Sequence, residues 1–175
     1  MILAVDPGLS GAFAFYDGTA LSVRDMPTYT AVAGVRKTNR KFIDEAGVLR
    51  TLSSVRLVAE ILVMEQVGGI PGQSAPAAFT FGYGVGVVLT AARCAGYRIE
   101  RVAPATWKSA LKVPADKRAS RARASEMLPS HSGLWQRQKD DGRAEAAMLA
   151  LYGWQVFGDL DQTSPGRKTT HTKET

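Results

Sequence analysis

The sequence is poor in the residues that build soft-metal and redox sites. It holds one cysteine, Cys94, and two histidines, His131 and His171. A lone cysteine excludes an intramolecular disulfide framework and fits a reducing cytoplasm. With so few Cys and His there is no zinc-type cluster either. A metal bound here must be hard and held by oxygen, Mg²⁺ or Mn²⁺ in type. Acids are also in deficit, 16 Asp and Glu against 22 Lys and Arg, for a net charge of +6 and a pI of about 9.7. That surplus points to a polyanionic partner, nucleic acid before membrane. The N-terminal "MILAVDPG" meets an acid at its sixth residue, too early for a signal peptide. Between Val67 and Ala92 there is no formal charge at all, which raises the question of a membrane span. Glycines, Pro71 and Pro76 interrupt the run, and its denser apolar part, 77–92, is short for a bilayer. A glycine loop followed by a buried helix is the expectation, with no membrane partner.

What is present suits one α/β domain over residues 1–158, followed by a polar tail, 159–175, expected to be disordered. "ILAVD", "AFAFY" and "ALSVRDM" read as three strands, with "DG" at 17–18 as the hairpin turn between the last two. Residues 27–41 show no clear period and contain "RKTNRK", read as a basic loop. Asp44 is placed to cap a helix running to about Arg56. "EILVMEQV" reads as a buried strand, 77–95 as a helix, and "YRIERVA" as a fifth strand. Helices then follow Pro104, cover "PADKRASRARASEML", and cover "KDDGRAEAAMLALYG". The order predicts a five-stranded mixed sheet flanked by helices.

Two acids close apolar strands: Asp6 the first, Glu65 the fourth. If those strands are parallel neighbours, both acids emerge at the carboxyl edge of the sheet, where open α/β sheets place ligands. Such a pair repels unless a cation lies between them. The last helix supplies more carboxylates. Asp141 and Glu145, four apart, share a helix face. Asp140 lies about 140° around the axis from Glu145, against about 40° for Asp141. Asp140 therefore reads as an acid serving the helix dipole, and it stays as the alternative ligand if the helix starts later. Gly142 and Ala144 leave room for close approach.

"AVDPGLSGAF", "LVMEQV" with its glycine loop, "ATWKSAL…ADKRASRA" and "DDGRAEAAMLA" together resemble, in order and spacing, RuvC-type Holliday junction resolvases, most of all the short members that phages encode. The resemblance spans roughly residues 1–155. It implies an RNase H-like fold, a homodimer, a place in the cytoplasm (of the host, for a phage protein) and divalent-metal-dependent cutting of branched DNA. Its four acids fall on Asp6, Glu65, Asp141 and Glu145, which would hold two Mg²⁺ (or Mn²⁺) ions and act in catalysis. Lys108 and Lys117 match lysines placed near the scissile phosphate. Two departures stand out. Glu145 replaces an Asp at a spacing of four instead of three, and Gly68 stands where an aromatic stacks on unpaired bases.

Two basic clusters are the candidate DNA contacts: Arg36, Lys37, Arg40 and Lys41 in the loop, and Arg118, Arg121 and Arg123 with Lys117 on a helix. On the 77–95 helix, Phe81, Val85, Val88 and Ala92 form a stripe for the sheet, while Gly82 and Gly86 form a flat second face suited to another helix. Two other readings remain. "DPGLSG" alone resembles the phosphate loop of actin-like sugar kinases, but those need a duplicated second domain. A non-catalytic DNA-binding protein that retains the fold is the stronger alternative, and divalent metal discriminates it.

Overall fold

The computed structural model describes residues 1–33, 37–68 and 72–162. Five strands form the main sheet: β1 (Ile2–Val5), β2 (Ala12–Tyr16), β3 (Leu21–Asp25), β6 (Ile61–Glu65) and β7 (Arg98–Val102), in the order β3-β2-β1-β6-β7. β1–β2 and β2–β3 are antiparallel, whereas β1–β6 and β6–β7 are parallel. The β2–β3 turn is built as its sequence demands. Gly18 takes a φ of 99°, and the Asp17 carboxylate accepts from the Thr19 and Ala20 amides.

Between β3 and the first helix lie β4 (Thr28–Ala33) and β5 (Thr38–Ile43), an antiparallel pair that forms its own two-stranded sheet. The stretch read as a basic loop is therefore a hairpin. Its sequence hides this because both faces are exposed, so no apolar alternation marks the strands. Arg36 lies outside the described residues.

Both faces of the main sheet are covered. Alternation along β1 sends Leu3 and Val5 to one side, with Phe13, Phe15, Leu62 and Met64. α1 (Glu45–Val55) and α2 (Ala75–Cys94) close that side through Val48, Leu52, Val88 and Ala92. Asp44 caps α1 by accepting from the Gly47 amide at 2.9 Å. On the other side Ile2, Ala4, Ala12, Ala14 and Val63 meet α5 (Asp141–Gln162), whose Ala146 and Ala150 share a helix face with Gly153. Alanine against alanine, and Gly153 against Ile2 and Val63, bring this helix down close to the strands. That closeness places its first turn beside Asp6. α3 (Pro104–Ala110) and α4 (Lys117–Met127) complete the layer, and two 3₁₀ turns, Pro129–Trp135 and Gln138–Asp140, lead into α5. α5 continues past position 158 to Gln162, into the segment assigned to the tail; residues 163–175 lie outside the described residues.

By length and composition α2 could cross a bilayer, but here it packs on the sheet through Val88, Ala91 and Ala92, while Gly84 lies against Pro7 and Ile43. Only 22% of its apolar window is buried. Phe79 is 76% exposed, and a Cβ at Gly82 or Gly86 would meet nothing within 4 Å.

Candidate active site

The register of β1 on β6 pairs Val5 with Met64, so the residues that follow, Asp6 and Glu65, emerge side by side at the carboxyl edge. Asp6 is partly buried, and its Oδ1 accepts from the Gly8 amide at 3.2 Å. Loss of water around this carboxyl, followed by the nearby charges of Glu145 and Glu65, pushes its pKa up to about 6.

Glu65 is held from below. Trp107, fully buried on α3, donates its indole N–H to Glu65 Oε1 at 2.8 Å. The next residue, Lys108, lies over the Trp107 ring, 5.1 Å from its centroid. Its Nζ sits 3.8 Å from Glu65 and 3.5 Å from Glu145. Lys108 therefore bridges two carboxylates that come from a strand and a helix.

A cleft of about 300 Å³ opens beside Asp6, lined by Gly8, Ser10, Gly11 and Gly142, by Asp141 and Glu145, and by Lys117 and Lys139. Thus Asp6, Asp141, Glu145 and Lys117 share one cleft, with Glu65 and Lys108 alongside it. Arg121 Nε is 3.2 Å from Asp141 Oδ1, yet this buried oxygen has no aligned hydrogen-bond donor. The ion pair supplies charge and leaves the lone pairs unsatisfied.

Asp140 faces elsewhere. It is buried, accepts from the backbone amide and the guanidinium of Arg137, and lies 4.0 Å from Arg143. The Arg137 guanidinium holds its carboxyl below the usual range. The dipole role expected for Asp140 is thus too slight: the carboxylate anchors the turn entering α5. Asp140→Asn should lower Tm by several degrees. Its effect should persist at neutral pH and fade as acidification through the depressed native pKa protonates wild type. Cleavage per folded molecule should stay near wild type. A loss as large as that of Asp141→Asn, measured side by side, would exchange the two roles.

The second basic cluster divides. Lys117 and Arg118 are exposed at the start of α4. Arg121 turns inward to Asp141 and donates to the Arg137 carbonyl. Arg123 donates to the Leu111 carbonyl and pairs with Glu126. Both are tied to protein groups in this structure. Lys37, Arg40 and Lys41 are exposed on the hairpin. Sequence reasoning passes over Trp107 and Lys139. Each adjoins a residue it selects, Lys108 and Asp140, and adjacency is the available signal.

The donor set suits a hard divalent cation. It is all oxygen, Asp6 feels two carboxylates, and Asp141 carries an orphaned oxygen. Among the described residues no three acidic, His or Cys side chains close around a single point. Lys108 and Arg121 draw Glu65, Glu145 and Asp141 aside instead.

The fold is α/β and RNase H-like, a five-stranded mixed sheet flanked by helices. The chain is similar to a T. thermophilus RuvC solved in complex with Holliday junction substrate: TM-score 0.54, 19% identity, 91% of this chain and 95% of that one. A second Thermus thermophilus RuvC structure matches at TM-score 0.53 and 18% identity over the same shares. No family model and no curated protein matches the sequence.

Proposed function

We propose that the protein is a divalent-metal-dependent, structure-selective endonuclease that hydrolyses phosphodiesters in Holliday junctions and related branched DNA. One observation carries this reading: Asp6, Asp141 and Glu145 line one cleft with Lys117, and Glu65 and Lys108 adjoin it, in a chain of charge +6. Asp6, Glu65, Asp141 and Glu145 would hold Mg²⁺ or Mn²⁺, as a pair of ions. Bound there, the metal would activate water and stabilise the leaving oxygen. Lys108 and Lys117 place positive charge where a phosphate's negative charge grows during hydrolysis. Trp107 positions Glu65 and supports Lys108. The resemblance to phage-encoded members rests on the sequence motifs, and a cytoplasmic place follows from the same reading.

A homodimer suits symmetric cutting of two strands, and α2 is the face for it. Gly82 and Gly86 allow close approach of a second helix, flanked by exposed Phe79 and Tyr83. The non-catalytic alternative has its own supporting observation, since Lys108 and Arg121 already neutralise three of the acids.

One experiment separates them. Purified protein is given a synthetic four-way junction and a linear duplex of the same sequence, each with Mg²⁺ and with EDTA. The nuclease cuts the junction in Mg²⁺, leaves the duplex largely intact and is silent in EDTA. Light scattering on the same sample should give twice the 18.8 kDa chain mass. Tight junction binding without cleavage in Mg²⁺ or Mn²⁺ would favour the alternative.

A further inference from the structure

β4 and β5 pair with each other and with neither edge of the main sheet. Tyr29 is 50% and Val32 64% exposed, and Lys37 through Lys41 are exposed throughout. A two-stranded ribbon in water is marginal by itself, and neighbouring cations along β5 repel one another.

The ribbon has a firm root. Ile43 is buried under α2 near Gly84, and the Asp44 amide donates to the Pro27 carbonyl at 2.9 Å. The Met26 amide donates to the Gly11 carbonyl at 2.9 Å. Gly11 lines the cleft beside Asp6. The ribbon therefore springs from the edge of the sheet that carries the acids.

Its chemistry is one-sided. No Asp or Glu occurs from Met26 to Ile43. Register puts Tyr29, Ala31, Arg40 and Phe42 on one face, and Thr30, Val32, Asn39 and Lys41 on the other. The two aromatics stack on each other near the root, centroids 5.6 Å apart. Beyond them the sequence to the turn has no aromatic. Capture of unpaired bases would call for stacking rings at the tip. What the ribbon offers instead is cations and amide groups on a narrow strip. Opposite Arg40 stands Ala31, small enough to let that face approach closely.

We propose that the β4–β5 ribbon is a duplex-reading arm that lies in the major groove of a DNA arm flanking the cut; its place beside the cut rests on the nuclease reading above. Two strands about 5 Å apart fit a groove about 12 Å wide. Six residues span about 20 Å, roughly half a turn of duplex from the root. Arg40 faces the base edges, while Lys37 at the turn and Lys41 on the opposite face reach the flanking phosphates. A second copy of the chain is a poorer occupant, because the ribbon would meet its own charge.

The test uses full-length protein and a four-way junction in EDTA, so cleavage is not a readout. Dimethyl sulfate reports guanine N7 in the major groove and adenine N3 in the minor groove. Wild type should protect guanine N7 over about half a turn of one arm. Lys37→Gln/Arg40→Gln/Lys41→Gln should lose that protection and bind roughly tenfold more weakly or worse. Its log K against log salt slope should be shallower by about two to three, near 0.9 for each phosphate no longer neutralised. Arg40→Gln alone should erase protection nearest the groove floor and change the slope by about one at most. These side chains are exposed, so Tm should not move; a triple variant that melts early leaves Arg40→Gln to decide. The proposal is overturned by protection confined to adenine N3, by N7 protection that survives the triple variant, or by a variant that changes oligomeric mass and not DNA binding. A wild type that cuts nothing in Mg²⁺ but shows the N7 footprint sinks the nuclease reading and leaves the ribbon standing as a duplex reader.

Discussion

Asp6→Asn should abolish metal-dependent junction cleavage and, in the same molecule, stabilise the metal-free fold. The two effects have one cause. Asp6 is held where its ionised form is costly, with a native pKa of about 6 against 3.8 for an ordinary Asp, because burial comes first and Glu145 and Glu65 add repulsion. An acid with a raised native pKa costs nothing below the unfolded value, where both states are protonated. The cost grows as pH climbs from about 4 to about 6 and is complete above that. At neutral pH it amounts to something on the order of 2–3 kcal/mol. Asparagine removes the charge and keeps an oxygen for the Gly8 amide. In EDTA the variant's Tm should therefore exceed wild type at pH 7, with the advantage shrinking to nothing near pH 4. Added Mg²⁺ should raise the Tm of wild type, by preferential binding to the folded state, and leave the variant nearly unchanged. Cleavage should fall by orders of magnitude while junction binding holds or tightens, since a negative charge facing phosphates is gone. Near-wild-type cleavage by a folded Asp6→Asn protein would remove Asp6 from the chemistry. A flat Tm difference across pH 4–7 would remove the repulsion argument.

Gly142→Ala should damage both fold and activity, although alanine is normally the better helix residue by about 1 kcal/mol. A Cβ at position 142 would lie 2.2 Å from the Ser10 carbonyl oxygen, 2.8 Å from Gly11 Cα and 3.0 Å from Asp6 Oδ2. Two of those neighbours are backbone and cannot swing aside. Either α5 or the turn after β1 must move, and overpacking of this kind costs about 1–3 kcal/mol, more where backbone shifts. The helix gain is outweighed. The same displacement separates Asp141 and Glu145 from Asp6, and a shift of about 1 Å at a reacting centre costs about a hundredfold in rate. Gly153→Ala is the control. Its Cβ would crowd Ile2 and Val63 at 2.9 and 2.8 Å, far along α5 from the acids. It should lower Tm yet spare cleavage per folded molecule. Equal activity losses in the two variants would mean that Gly142 has no special bearing on the site.

Much of this protein is legible in one dimension wherever burial imposes a period. β1, β2 and β6 read directly because both faces of the central strands are covered, so their residues are apolar throughout. Asp6 and Glu65 stand out because each is the first charge after such a run. Asp141 and Glu145 follow from the helix repeat, since residues four apart share a face and the helix turns apolar at Ala146, Met148 and Leu149. Where nothing is buried the pattern vanishes. The β4–β5 ribbon reads as a loop because its strands face water on both sides, and its cross-strand register is not written in either strand alone.

Charge pairing escapes the sequence for a different reason. Arg121 and Arg123 look like Lys117 and Arg118 in composition, yet the first two turn inward because Asp141 and the Leu111 carbonyl lie within reach. Asp140 and Asp141 are neighbours with opposite fates, one anchored by Arg137 and the other left with an unsatisfied oxygen. Periodicity determines which face a residue occupies. Only tertiary structure decides what stands opposite it, because Coulomb and hydrogen-bond energies depend on distances between segments far apart in the chain.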